Sequence, residues 1–194
     1  MSNLPWLAED NKKEEIVRLL QNGADINEQD KHGYTALYYA CALTHIEIVQ
    51  ILFQNNKINV NLQGIYELTP FYVACWNNRY ECTLTMLQDP RVDINMADNY
   101  GWSPLMIACY NGYTKIVQLL ISFGRNINIY KKSTEDWNDI KSGSTALYLA
   151  KQANNTDVVQ LLQQYQNNPK ETQKTTRNKL NLKGKKIKYK NNEK

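Results

Sequence analysis

Nothing in this chain approaches the roughly 20 consecutive apolar residues that a membrane-spanning helix needs. The opening Met1-Ser2-Asn3-Leu4-Pro5-Trp6 has no basic region followed by an apolar run, so no secretory leader is expected. The final Asn191-Asn192-Glu193-Lys194 carries no lipidation box. These absences point to a cytoplasmic protein without membrane insertion, the nucleus being the alternative. Histidine is scarce as well, His32 and His45 being the only two. Neither completes an HExxH or Cys–His constellation, and no glycine-rich phosphate loop, GxSxG elbow or kinase signature occurs. No catalysis, cofactor or metal is therefore expected.

What the chain does have is a composition that supports a core. Hydrophobic residues make up 42% of the 194 and charged residues 22%, enough for one domain of ordinary size. The net charge of +4 is unevenly spread. Residues 1–169 hold 13 Lys/Arg against 17 Asp/Glu, whereas residues 170–194 hold 10 against 2. An acidic body and a basic end are different physical objects.

The body is periodic. Asn27, Asn61, Asn95 and Asn128 fall 34, 34 and 33 residues apart, each closing a similar phrase such as Gly23-Ala24-Asp25-Ile26-Asn27 or Arg91-Val92-Asp93-Ile94-Asn95. A second phrase recurs as Thr35-Ala36-Leu37-Tyr38-Tyr39-Ala40, Thr69-Pro70-Phe71-Tyr72-Val73-Ala74, Ser103-Pro104-Leu105-Met106-Ile107-Ala108 and Thr145-Ala146-Leu147-Tyr148-Leu149-Ala150. Its intervals are 34, 34 and 42, and removing an insertion of 9 residues at 132–140 returns the last to the common period. In each unit Thr or Ser caps a short helix, and Pro70 and Pro104 take the first helical position, where a missing N–H costs nothing. A second amphipathic helix follows, as in Ile46-Glu47-Ile48-Val49-Gln50-Ile51-Leu52. One such pair cannot bury its own apolar face, so neighbouring units must stack.

These two phrases resemble the ankyrin repeat, in which Thr-Pro-Leu-His opens the first helix and Gly-Ala-Asp-Val-Asn follows the second. The resemblance implies an all-α helix-turn-helix solenoid with short β-hairpin turns. It divides the chain into a repeat domain over 1–168 and a basic tail over 169–194, expected to be disordered. The domain comprises a cap (4–29), repeats at 30–61, 62–95 and 96–128, and a C-terminal unit (129–166) with the inserted loop 132–140. Two departures stand out: the family's His is replaced by Tyr38, Tyr72, Met106 and Tyr148, and Glu67 stands where the turn glycine is expected. The unit 62–95 should be the least regular, because its second helix is also poorly apolar.

Cys41, Cys75 and Cys109 are 34 residues apart and occupy one position in successive units. Stacked helices lie about 8–10 Å apart, beyond the roughly 7 Å Cα separation that a disulfide tolerates. The spacing also lacks the close pairing of a zinc site. These residues and Cys82 are expected to be small core side chains. Asp30 and Asp98 read as hairpin-turn residues rather than an acid/base pair.

The resemblance implies a protein partner gripped by the hairpin turns and the exposed end of the first helix. Carried over by position, the contact residues are Lys31, His32 and Tyr34; Tyr66 and Leu68; Trp76 and Asn77; Asn99, Tyr100 and Trp102; and Tyr110 and Asn111, joined by Trp137 in the insertion. The set is rich in Tyr and Trp, which dominate interface hot spots. These rings either form a binding face or stiffen the stack by packing on neighbouring turns. On the first reading Tyr34, Tyr66, Tyr100 and Trp102 are solvent-accessible, while Leu37, Phe71, Leu105 and Leu147 are buried. The protein is then a monomeric interaction scaffold.

The second functional reading is a nuclear or nucleic-acid-associated regulator. Lys183, Lys185, Lys186, Lys188 and Lys190 would serve there as an import signal or a weak, sequence-blind contact with polyanions or anionic surfaces.

Overall fold

The structure, a computed structural model, describes residues 3–182. Among the described residues, eleven α-helices form five pairs and an addition. The pairs are α1 (Leu4–Glu9) with α2 (Lys13–Gln21), α3 (Ala36–Leu43) with α4 (Ile46–Phe53), α5 (Pro70–Trp76) with α6 (Tyr80–Leu87), α7 (Pro104–Tyr110) with α8 (Thr114–Ser122), and α9 (Ala146–Gln152) with α10 (Thr156–Asn167). The addition is α11 (Pro169–Lys179). Odd-numbered helices α1 to α9 pack in sequence along one layer and even-numbered α2 to α10 along a second, the solenoid that the period implies.

The caps behave as the sequence requires. The side chains of Thr35, Thr69, Ser103 and Thr145 accept from the backbone N–H three residues on, at Tyr38, Tyr72, Met106 and Tyr148. Leu37, Phe71, Leu105 and Leu149 fill the space between layers, but Leu147 is only partly buried. It belongs to the last repeat, where no following unit packs against it among the described residues. All four cysteines are buried and unpaired, and burial raises the thiol pKa of Cys41, Cys75 and Cys109.

The recurring asparagine earns its place by bonding across units. Asn27 Nδ2 donates to Lys57 O (3.0 Å) while its Oδ1 accepts from Asn59 N (2.7 Å). Asn61 makes the same pair with Arg91 O and Asp93 N, and Asn95 with Asn126 O and Asn128 N. Each amide therefore spends both its faces on the next unit. At about 0.5–1.5 kcal/mol per bond, the ladder adds to the burial of the flanking Ile26, Ile58, Val60, Val92, Ile94 and Ile127.

Two expectations are corrected, the first only in its reason. The unit 62–95 has a regular second helix, because Cys82, Thr83, Leu84, Met86 and Leu87 are all buried in α6 and Thr83 Oγ1 satisfies itself on Arg79 O. Its turn is the irregular part, with Tyr66 (φ 58) and Glu67 (φ 60) both left-handed. The second correction concerns the tail: residues 169–182 are not disordered. Asn168 caps α11 by accepting from Glu171 N, and Pro169 occupies the first helical position. Thr172 and Thr176, four residues apart, are buried along the contact with α8, and Leu182 is 2% exposed. Helix α11 packs on α8 and α10, and on α8 Gln118 and Ser122 are buried.

Candidate partner-binding site

Each hairpin turn, or finger, is set by its own sequence. In the finger at 98–103, Asp98 N donates to Trp102 O (3.0 Å) and Gly101, at φ +77, closes the turn with its N–H on Asp98 O (2.9 Å). Asp98 Oδ1 accepts from Tyr100 N and Trp102 N, and Oδ2 accepts from Tyr72 Oη at 2.7 Å. The finger at 30–35 repeats the scheme, except that Tyr39 of its own unit supplies the hydroxyl to Asp30. The carboxylates are turn braces, as their positions suggested. Fingers are also tied to one another: Ile65 N donates to His32 O, Asn99 N to Tyr66 O and Thr134 N to Tyr100 O, at 2.9–3.0 Å.

Between the fingers at 64–69 and 98–103 lies an open pocket of about 240 Å³. Seven of the sequence-derived contact residues line it: Tyr66, Leu68, Trp76, Asn99, Tyr100, Trp102 and Trp137. Tyr72, Asp98 and Ile107 complete the wall. The 9-residue insertion thus folds back to the preceding finger, Trp137 meeting Trp102 edge-on at 5.1 Å. Tyr110 stands edge-on to both (5.4 and 5.6 Å) but behind the lining. Asn77 and Asn111, at the ends of α5 and α7, are exposed outside it. Lys31, His32 and Tyr34 sit on another finger, where the Tyr34 ring stacks on Tyr38 at 3.9 Å. Lys183, Lys185, Lys186, Lys188 and Lys190 lie outside the described residues.

The exposure expected of four aromatics holds for one, Tyr66 at 61%. Tyr34 and Tyr100 are half-buried, and Trp102 is 3% exposed. Leu68, at 4%, is likewise a wall residue rather than a free contact. The reason is positional. Leu68 and Trp102 each precede a helix cap, where an apolar side chain packs against the first turns of its own helix, and Tyr110 and Trp137 then cover Trp102. Trp76, at 43%, remains available.

Sequence reasoning overlooked Tyr72 and Asp98 as wall residues, reading Tyr72 as the replacement of the family's His and Asp98 as a hairpin-turn residue. Both are structural, and both also face the pocket. The signal for Tyr72 was its place one helical turn before Trp76. Burial lifts the Asp98 pKa, outweighing the bonds from Tyr72, Trp102 and Tyr100 that favour the carboxylate, and nearby Glu67 lifts it further. Among the described residues one buried side-chain polar atom stays unsatisfied, Trp102 Nε1 having no hydrogen-bond partner. Such an orphan donor costs about 1–3 kcal/mol. No group of His, Cys, Asp and Glu among the described residues is arranged to hold a metal ion, and no helix among them is long and apolar enough to cross a membrane.

A family model described as ankyrin repeats matches in three overlapping copies, over residues 4–98, 69–133 and 83–174. No curated protein matches the chain.

Proposed function

Since the chain belongs to the ankyrin-repeat family, whose units are generally protein–protein interaction modules, we propose that it is a non-catalytic scaffold binding a protein partner on its finger side. The pocket between the fingers at 64–69 and 98–103 is the anchor of that contact. One observation carries the reading: Tyr66 and Trp76 are exposed large aromatics from separate elements that converge, with Tyr100 and Trp137, on a single concavity. Scattered exposed aromatics need no explanation, whereas a convergent set at a pocket mouth is how interface hot spots are built. The four buried, unpaired thiols fit a reducing compartment.

The test compares partner recovery, from the cell in which the protein occurs, for the wild type and for Tyr66→Ala/Trp76→Ala. Trp6→Ala serves as a control, because Trp6 is a 52%-exposed aromatic on α1 that does not line the pocket. Loss of about 2 kcal/mol of binding, some thirtyfold, is expected for the double variant. Retained recovery of the same partners would move the site elsewhere on the stack.

A further inference from the structure

The anchor pocket has a chemical preference that its shape alone does not convey. Its volume of about 240 Å³ falls below the roughly 300–1,000 Å³ of small-molecule sites, so it suits one side chain of a larger partner. Its ten lining residues include six aromatic rings and one carboxylate, and no Lys, Arg or His. Neighbouring rings cross steeply, at 85° for Tyr72 and Trp76 and 64° for Trp102 and Trp137. In crossed rings, negative faces and positive edges alternate around the enclosure, so a guest meets a π-face on one side or another. Glu67, on the adjoining finger, acts electrostatically on Asp98. The inserted segment that brings Trp137 carries Glu135, Asp136 and Asp139 against Lys132, although Asp136 is paired with Lys141 at 2.9 Å.

An anionic guest would meet carboxylates and ring faces of like sign. A purely apolar guest would remove the water left to the half-buried Asp98, whose Oδ2 carries only the Tyr72 hydroxyl, and would return no interaction to the charge. A cation satisfies both wall types at once, by attraction to the carboxylate and to the ring faces.

Resting on the protein-binding reading above, we propose that this pocket is a socket for a basic side chain of the partner, a lysine or arginine held between the aromatic rings and Asp98. The partner segment is thus a basic peptide, complementary to the excess of acid over base in residues 1–169.

The test uses the full chain and three probes: N-acetyl-lysine methylamide, N-acetyl-arginine methylamide and the neutral N-acetyl-norleucine methylamide. The readout is the indole N–H resonances of Trp6, Trp76, Trp102 and Trp137. The two basic probes should shift Trp76 and Trp137, leave Trp6 unmoved, and bind about tenfold more tightly than norleucine. Trp76→Ala should abolish the shifts at Trp137, and Glu67→Gln, outside the wall, should weaken the basic probes about twofold without affecting norleucine. Equal or tighter binding of norleucine would make the pocket a plain apolar anchor and overturn the assignment. Shifts absent up to the solubility limit of the basic probes would overturn it too. If partner recovery is lost in Tyr66→Ala/Trp76→Ala while the basic probes show no advantage, the protein-binding reading stands and the cation socket falls. If recovery persists while the basic probes bind, the socket is real but is not the partner's.

Discussion

The fingers at 30–35 and 98–103 share one skeleton and have different fates. Each begins with an aspartate whose N–H reaches the carbonyl four residues on at 3.0 Å, and each turns on a glycine at φ +77. Each aspartate accepts two backbone N–H groups and one tyrosine hydroxyl at 2.7 Å. Yet the Asp30 pKa is lowered, its hydrogen bonds outweighing desolvation, whereas burial wins at Asp98 and raises the value. The residue after the glycine also differs, Tyr34 being half-buried and Trp102 fully covered. Identical local chemistry produces a plain turn in one place and the wall of a pocket in the other. What differs is the neighbour: the insertion folds over the second finger, and Tyr72 reaches it from the preceding unit.

Filling the glycines gives the largest test of that contrast. A Cβ at Gly101 would come within 2.6 Å of the Thr134 backbone nitrogen, and at Gly33 within 3.1 Å of Gly64 Cα. Positive φ costs either alanine about 1 kcal/mol, and the insertion's backbone makes Gly101→Ala worse. Denaturant unfolding should show a loss of about 3 kcal/mol for Gly101→Ala against about 1–2 for Gly33→Ala. Equal losses would mean that the insertion does not rest on the finger.

The aspartates come next. Asp30→Asn removes a charge-assisted brace and should cost about 1 kcal/mol near neutral pH. Asp98→Asn gives up similar bonds but relieves a buried charge, so its cost should be smaller. Their pH dependences have opposite signs. The Asp30 contribution is present above the ordinary value of 3.8 and lost as pH falls through its depressed folded pKa; the Asp98 contribution is present below 3.8 and lost as pH rises through its elevated one. Stability curves of the two variants against wild type should therefore diverge in opposite directions across the acid range. Parallel curves would erase the distinction between the fingers. The smallest effect is expected at the third finger, where Glu67 occupies a left-handed φ of 60 without being glycine. Glu67→Gly should raise stability by about 0.5–1 kcal/mol, read as a shift of the thermal midpoint.

Period, caps and turn chemistry were legible in the sequence because each depends on residues within a few positions. Thr35, Thr69, Ser103 and Thr145 cap the helices that they were expected to cap, and the Asn27–Asn61–Asn95 series marks bonds repeated identically between units. The pocket was legible only in part. Tyr66, Trp76, Tyr100 and Trp137 were named as contact residues, but the burial of Trp102 depends on a segment 35 residues away folding back onto it. Helix α11 escaped notice because its composition is polar and basic. Its local signs, Asn168-Pro169 with Glu171 and threonines at 172 and 176, are weak until α8 supplies a surface for them.

Helix α11 also gives the stack a direction. Units that touch only their neighbours open from the ends, each terminal pair peeling away independently. Among the described residues the pair α1–α2 packs mainly on α3 and α4 of the next unit. At the other end α11 packs against both α8 and α10, spanning two units, and Arg177 hydrogen-bonds Ser122 O at 3.4 Å. Fraying there must begin by lifting a helix that uncovers no repeat core of its own. Under tension or at the onset of melting, the described chain should therefore unravel from its amino-terminal side, with amides of α8 exchanging later than those of α2.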